Sequence, residues 1–499
     1  MDETGYTRRL KDNFGFFGLG ALAYSCFYAL CMFRNPSGIT FPFFIAGSLL
    51  FFCLCLSKLG ITLRKGSGFY MVSMMLLAVS TFCTDDSRII SMNKWGIFLL
   101  MLSLLLNQFY DTSGWQLGKY VSSITTLLFC SLGKLDRPFR DGNDYRKNFV
   151  KGKGSKVFYA VIGVLAALPL FAVIFLLLFS ADAVFRQMSR QLFEDIDLGS
   201  IFQIVGMIAC MFFAVYGILA FLCEKSIREE VKDRRQGEPV LAITVTGMLT
   251  MLYLVFSVIQ IVYLFLGQMQ LPEGYTYAKY AREGFFQLLA VSVLNLIIVL
   301  VTLTYFRESK VLKAVLTVMS LCTFIMIASS ALRMIIYIQY YYLTFLRIFV
   351  LWSLALLTLL FAGVIVSIFR KKFPLFRYCC VAVTCCYLVL SFSHPDYWIA
   401  RVNVANVTGE EPGDGFFKGE AYQDMAYLAD LSADAAPVLV PWLAEGGGTR
   451  EESSSTENGK VPGYVRRMNR QNEEYDSWRQ FNVSRFMARL RLRKPEEID

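Results

Sequence analysis

The stretch LGKYVSSITTLLFCSLGKL, residues 117–135, decides the fold, because counting it as a membrane span inverts every loop that follows. Its apolar residues Leu117, Tyr120, Val121, Ile124, Leu127, Leu128 and Leu132 recur at helical spacing. Lys119, Ser122, Ser123, Thr125 and Thr126 share the other face, which is the pattern of a helix lying in the membrane interface rather than crossing it. Placed on the cytoplasmic surface, this helix leaves the next loop, residues 133–156, inside. That loop is the most basic in the chain, with eight Lys or Arg against Asp136, Asp141 and Asp144, as the positive-inside rule requires.

The composition agrees with a membrane setting. The 499 residues are 56% hydrophobic and only 18% charged, with a mean hydropathy of +0.48, values of an integral membrane protein. Apolar runs flanked by Lys, Arg or Pro match the roughly 20 residues that carry a helix across a bilayer core. A barrel would show short alternating segments instead. The net charge of +10 sits in short loops between apolar runs, so it sets topology and does not indicate nucleic acid. The start, MDETGYTRRLKDN, is too polar for a cleaved leader, and the first span is read as retained.

Upstream of the deciding stretch, spans are expected over residues 14–33, 41–57, 69–83 and 95–110. The basic loop 58–68 then lies inside, and loop 84–94, opening with Asp85 and Asp86, lies outside. Downstream, spans are expected over 157–180, 200–223, 239–267, 284–305, 314–338, 343–369 and 378–398. The expected fold is therefore all-α, a polytopic transmembrane helical bundle of about eleven spans with one interfacial amphipathic helix. Its N-terminus is inside and its C-terminal tail outside. Four regions follow: residues 1–135, an N-terminal membrane region; 136–156, a basic cytoplasmic loop; 157–400, the main membrane domain; and 401–499, a polar extracytoplasmic tail. Within the tail, 421–442 and 475–493 read as ordered helical pieces, and the Gly- and Ser-rich stretch 446–463 as a linker. The piece 475–493, with Trp478, Phe481, Phe486, Met487 and Leu490 among arginines, is also suited to a membrane surface.

Nearly all of the 13 cysteines lie inside apolar runs, and the doublets Cys379–Cys380 and Cys385–Cys386 lack the spacing of redox or zinc sites. His394 is the only histidine and is read as closing a helix end. No metal and no cofactor are expected. Phosphate loops, nucleophile elbows and zinc-protease motifs are absent from the sequence.

The chemistry-bearing candidates are charges that the topology brings to one depth. LPEGYTYAKYAREGFFQLLAVSVLN, residues 271–295, carries Arg282 and Glu283 into an apolar run; Arg333 lies near the outer end of the next span, and Arg347 about one turn into the span after it. A carboxylate facing two arginines makes either an ion-pair clamp between three helices or, with one arginine left over, a site for an anionic group. Gln260 adds a hydrogen-bonding group on a neighbouring span, and Tyr337 belongs to a tyrosine rim with Tyr275, Tyr277, Tyr280, Tyr340, Tyr341 and Tyr342.

Several long strings, LPEGYTYAKYAREGFFQL, CTFIMIASSALRMIIYIQYYYLTFLRIFVLW, KKFPLFRY, HPDYWIARVNV and YLADLSADAAPVL, resemble the bacterial multi-pass family labelled domain of unknown function 4173. SADAVF at 180–185 and WRQFNVSRFMA at 478–488 look like it as well. The resemblance implies a bacterial plasma-membrane location and places Glu283, Arg333 and Arg347 within its signature strings. It carries no activity. Three functions fit the residues. The first is binding or translocation of an anionic or amphipathic, lipid-linked ligand, with membrane lipid around it. The second is a sensor or scaffold with a cytoplasmic protein partner at residues 133–156. The third is a transferase using Asp85, Asp86, Asp182 or Asp396 as base.

Overall fold

The computed structural model describes residues 5–35, 37–112, 114–115, 117–149, 198–227, 235–262, 284–370, 373–409, 427–445, 461–474 and 477–493, with isolated positions between 163 and 184. Its described residues form helices and turns, and nine of those helices are long and apolar enough to cross a membrane. A short helix α1 (Gly5–Asp12) precedes α2 (Phe14–Met32), α3 (Thr40–Leu59), α4 (Ser67–Cys83) and α5 (Ser87–Phe109). Then come α6 (Leu117–Leu132), α7 (Arg137–Phe149) and α8 (Leu198–Glu224). The second half supplies α9 (Pro239–Gln260), α10 (Phe285–Tyr305), α11 (Lys310–Tyr341), α12 (Phe345–Phe369) and α13 (Leu375–Phe392). The span expected over 157–180 lies almost entirely outside the described residues.

Local chemistry sets the boundaries. Asp86 caps α5 by accepting from the Arg88 N–H at 2.9 Å, so that helix starts before the purely apolar run and carries Lys94 within it. Gly60, at φ +72°, ends α3 in the left-handed conformation and returns its N–H to the carbonyls of Leu56 and Ser57. Pro239 opens α9, where a missing N–H is harmless.

α6 lies across one end of the bundle, as its pattern requires. Near its start, Tyr120 stacks at 3.8 Å on Phe376, at the beginning of α13. Just beyond its end, Lys134 and Arg137 both grip Glu224, the last residue of α8. Each end of α6 therefore meets the same side of the spans, the side where α1 packs. α7 follows on that side, with Asp141 buried and accepting from Tyr216 at 3.0 Å.

The spans pack as two groups. α2 to α5 with α6, α8 and α13 share one large core around Phe17, Leu56, Leu77 and Tyr216. A second set, α9 to α12, buries Val299, Leu316, Met319 and Phe361. Polar side chains join helices across the apolar interior. Asn93 of α5 donates to Ser80 and Thr81 of α4 and accepts from Tyr387 and Ser391 of α13.

The last expected span, 378–398, is broken. α13 stops at Phe392, His394 takes φ +47°, and α14 (Pro395–Gly409) sets off anew because Pro395 cannot continue the preceding ladder. The tail then folds back. A 3₁₀ turn (Ala433–Ala435), α15 (Ala436–Ala444), α16 (Val461–Glu474) and α17 (Val483–Arg493) form a small core with α14, burying Ile399, Leu431, Leu439, Tyr464 and Ala488. α16 begins within the stretch read as linker, so that linker is shorter than its composition suggested. This core sits on the bundle end opposite α6, over the α2–α3 and α4–α5 turns.

Candidate functional site

At that opposite end, α10, α11 and α12 converge on two of the expected arginines. Arg333 is buried, and its Nη2 lies 3.5 Å from Oε1 of Gln260, which also accepts from Ser329 at 2.6 Å. Gly284, at φ +100°, lets the guanidinium in: a Cβ there would stand 2.9 Å from Nη1 of Arg333. Arg347, equally buried, lies over the Tyr337 ring at 4.4 Å and donates to the carbonyl of Tyr342. Tyr342 holds φ +62° and ψ −174°, a region normally left to glycine, at the turn between α11 and α12.

Four of the candidate residues thus meet in two pairs, Gln260 with Arg333 and Tyr337 with Arg347. Arg282 and Glu283 lie outside the described residues, as do Tyr275, Tyr277, Tyr280 and the side chains of Tyr340 and Tyr341. Beside Arg347 opens a cleft of about 370 Å³, lined by Phe285, Phe286, Met334, Tyr337, Thr344, Leu346 and Arg347. Its lining is mostly apolar and aromatic, with Thr344 and the Arg347 guanidinium as polar members, a combination suited to a ligand with a hydrocarbon part and an anionic group.

A second centre lies next to the first and unites residues far apart in the chain. Arg88 forks onto Asp86 with two 2.9 Å bonds and reaches Asp396 at 2.5 Å. The Asp396 carboxylate also accepts from the Ser432 N–H at 2.9 Å. Asp434, whose side chain is wholly buried, accepts from Thr84 at 2.5 Å and from the Asp85 N–H at 3.0 Å, and stands 3.2 Å from Nδ1 of His394. Asp85 pairs with Arg485 at 2.7 Å, and Asn482 donates to the carbonyl of Thr84 at 2.9 Å. His394, read from sequence as closing a helix end, also stands just before α14, where its carbonyl accepts from the Tyr397 N–H at 3.0 Å, and its ring reaches across to Asp434.

The environment separates these groups. The hydrogen bond that His394 donates to Asp434 raises the imidazole above its ordinary value, against the opposing effect of burial. Burial also presses upward on Asp434, but bonds from His394, Ser484 and Thr84 overcome it and hold the carboxyl low. Asp85 and Asp396 are raised by burial, with Arg485 and Arg88 pulling the other way. Among the described residues no cluster of His, Cys, Asp or Glu could hold a metal ion, and all 13 cysteines are free. The arrangement is that of an interlocked clamp: Asp85, Asp86 and Asp396 are engaged with arginines, and Asp182 is exposed elsewhere.

The two centres share the α11–α12 turn. Leu343 exchanges two hydrogen bonds with Asn403 of α14, at 2.8 and 2.9 Å. The next residues split: Phe345 lies under Arg88 at 4.0 Å and donates its N–H to Tyr427, whereas Thr344, Leu346 and Arg347 line the cleft. Sequence reasoning did not single out Asp434, Arg485 or Asn482. A usable signal existed, since each is a polar residue inside a string, SADAAP or FNVSR, that otherwise reads as a hydrophobic helix start.

No curated protein and no solved structure matches the chain. A family model does, though it is not the one labelled 4173 that the signature strings suggested. The match covers residues 71–441, from within α4 to within α15, and so includes Arg88, the cleft, His394, Asp396 and Asp434. On that span the chain belongs to the family described as Domain of unknown function (DUF4153).

Proposed function

We propose that this chain, in a bacterial plasma membrane with α1 on the cytoplasmic side, binds an anionic amphipathic ligand of the lipid-linked kind in the cleft between α10, α11 and α12. The observation that carries the reading is the cleft itself: apolar and aromatic lining from Phe285, Phe286, Met334 and Leu346, with Arg347 among its lining residues. Hydrocarbon would lie against the walls and the anionic group against the guanidinium. Binding of this kind serves translocation as well as recognition. The clamp around Arg88 weighs against the transferase reading, because a base must reach substrate and Asp86 and Asp396 are buried under an arginine.

The test is native mass spectrometry of the full chain released from nanodiscs of bacterial polar lipid. Acidic amphiphiles are expected to stay bound to the wild type and to Arg347→Lys. Arg347→Ala removes a charge-assisted contact of about 1.5–3 kcal/mol, so retention falls by about 10-fold or more. Equal retention by the alanine variant, with an unchanged unfolding temperature, overturns the proposal.

A further inference from the structure

The segment 477–493 is fastened at the level where the spans end. Ile39, just before α3, donates its N–H to the carbonyl of Phe481 at 2.9 Å, and Gln480 and Arg479 donate to the carbonyls of Arg34 and Phe33, each at 2.7 Å. Ser484 reaches the carbonyl of Cys83 at 2.9 Å, at the end of α4. These anchors stand at or just beyond the ends of α2, α3 and α4, so the segment lies level with the ends of those helices.

α17 is inverted relative to a water-soluble helix. Asn482, Ser484 and Ala488 face the protein and are buried, whereas Phe486, Met487 and Leu490 point away and are more than two-fifths exposed. Trp478, in the 3₁₀ turn just before, is 73% exposed. The segment also holds Arg479, Arg485, Arg489, Arg491 and Arg493 without a single acidic residue, and Arg491 is exposed. An apolar outward stripe beside arginines and a tryptophan, at the height of the span ends, matches a lipid interface and not water.

We propose that α17 and the Trp478 turn lie in the headgroup layer of the bilayer leaflet at that end, and that the exposed Arg491 binds anionic phospholipid. The site is independent of the cleft and on a different helix. It gives the tail a second anchor besides the clamp.

The test uses the full chain in nanodiscs of phosphatidylcholine, with or without phosphatidylglycerol. Trp478 fluorescence is isolated as the difference between wild type and Trp478→Phe. Quenching by shallow brominated lipid in preference to aqueous acrylamide is expected. In mixed micelles, phosphatidylglycerol retained by the protein should fall about fivefold in Arg491→Gln, the effect of one basic residue at an anionic surface. Acrylamide quenching equal to that of a free indole overturns the proposal, and so does shielding that requires a second copy, seen as a dimer by light scattering. Unchanged phosphatidylglycerol retention in Arg491→Gln overturns the anionic-lipid part even if Trp478 is quenched by lipid.

Discussion

Replacing Asp434 with alanine is the sharpest single perturbation of the clamp. Thr84, the Asp85 N–H and His394 converge on its wholly buried carboxylate, with Ser484 beside them. Hydrogen bonds to a charged acceptor contribute about 1.5–3 kcal/mol each and do not add fully, so about 3–6 kcal/mol of tail docking should vanish in Asp434→Ala. That is comparable with the whole stability of a small domain, about 5–15 kcal/mol. Asp434→Asn keeps an acceptor for Thr84 and Asp85 but loses the pairing with His394, and a loss of about 1–2 kcal/mol is expected. Hydrogen exchange on the solubilised full chain reads the result directly. Amides of α15 and α17 should exchange far faster in the alanine variant, while those of α2 and α5 stay protected. Wild-type protection of α15 and α17 in Asp434→Ala would refute the reasoning.

The same contact has a pH signature. His394 is raised above 6.5, so its stabilisation is complete below that value and is lost as pH rises through the higher folded pKa. Asp434 is held below 3.8, so its contribution is present above that value and is lost as pH falls through the lower folded pKa. Asp85 and Asp396 are raised, so they too favour the folded state at lower pH and oppose it as they ionise, against Arg485 and Arg88. Exchange protection of α15 is therefore expected to weaken as pH rises from 6.5 through the folded pKa of His394, and that part of the profile should flatten in His394→Ala.

Two further outcomes bear on packing. A Cβ at Gly38 would lie 2.1 Å from the carbonyl oxygen of Arg479 and 2.6 Å from the Cα of Gln480, both backbone atoms that cannot yield, so Gly38→Val should lift the segment 477–482 and speed tryptic cleavage after Arg479; a wild-type cleavage rate would count against the close approach. Asn93→Leu removes four hydrogen bonds that join α4, α5 and α13, each about 0.6 kcal/mol on average within a membrane, and a loss of about 1–3 kcal/mol is expected in a detergent unfolding titration.

The spans were legible because hydropathy is a local signal of high amplitude: expectation and structure differ by a few residues for α2, α3, α8, α10 and α12. The interfacial placement of α6 was legible from its two-faced pattern alone. What sequence could not reveal was long-range. Asp86 and Asp396 are separated by hundreds of residues and meet only because α5 and α14 start at the same end of the bundle. His394 looked like a terminator of one span, since nothing local shows that Asp434 will arrive beside it. The tail misled for a related reason: its polar composition reads as solvated, yet many of its polar groups are turned inward to satisfy the turns of the spans.

The turn at Tyr342 ties these observations into one mechanical unit. A tyrosine at φ +62° persists only where its surroundings over-determine it. Here Asn403 fixes the following residue from both sides, Tyr427 holds the N–H of Phe345, and Arg88 covers its ring. These three restraints come from the tail and from Arg88 of the clamp, and Arg347, which lines the cleft, adds a fourth by donating to the Tyr342 carbonyl. Undocking the tail is therefore expected to remove the restraints at Leu343 and Phe345 and to slacken the cleft wall formed by Thr344 and Leu346. The strained turn at Tyr342 is thus held from both sides, by Asn403, Tyr427 and Arg88 on the tail side and by Arg347 on the cleft side.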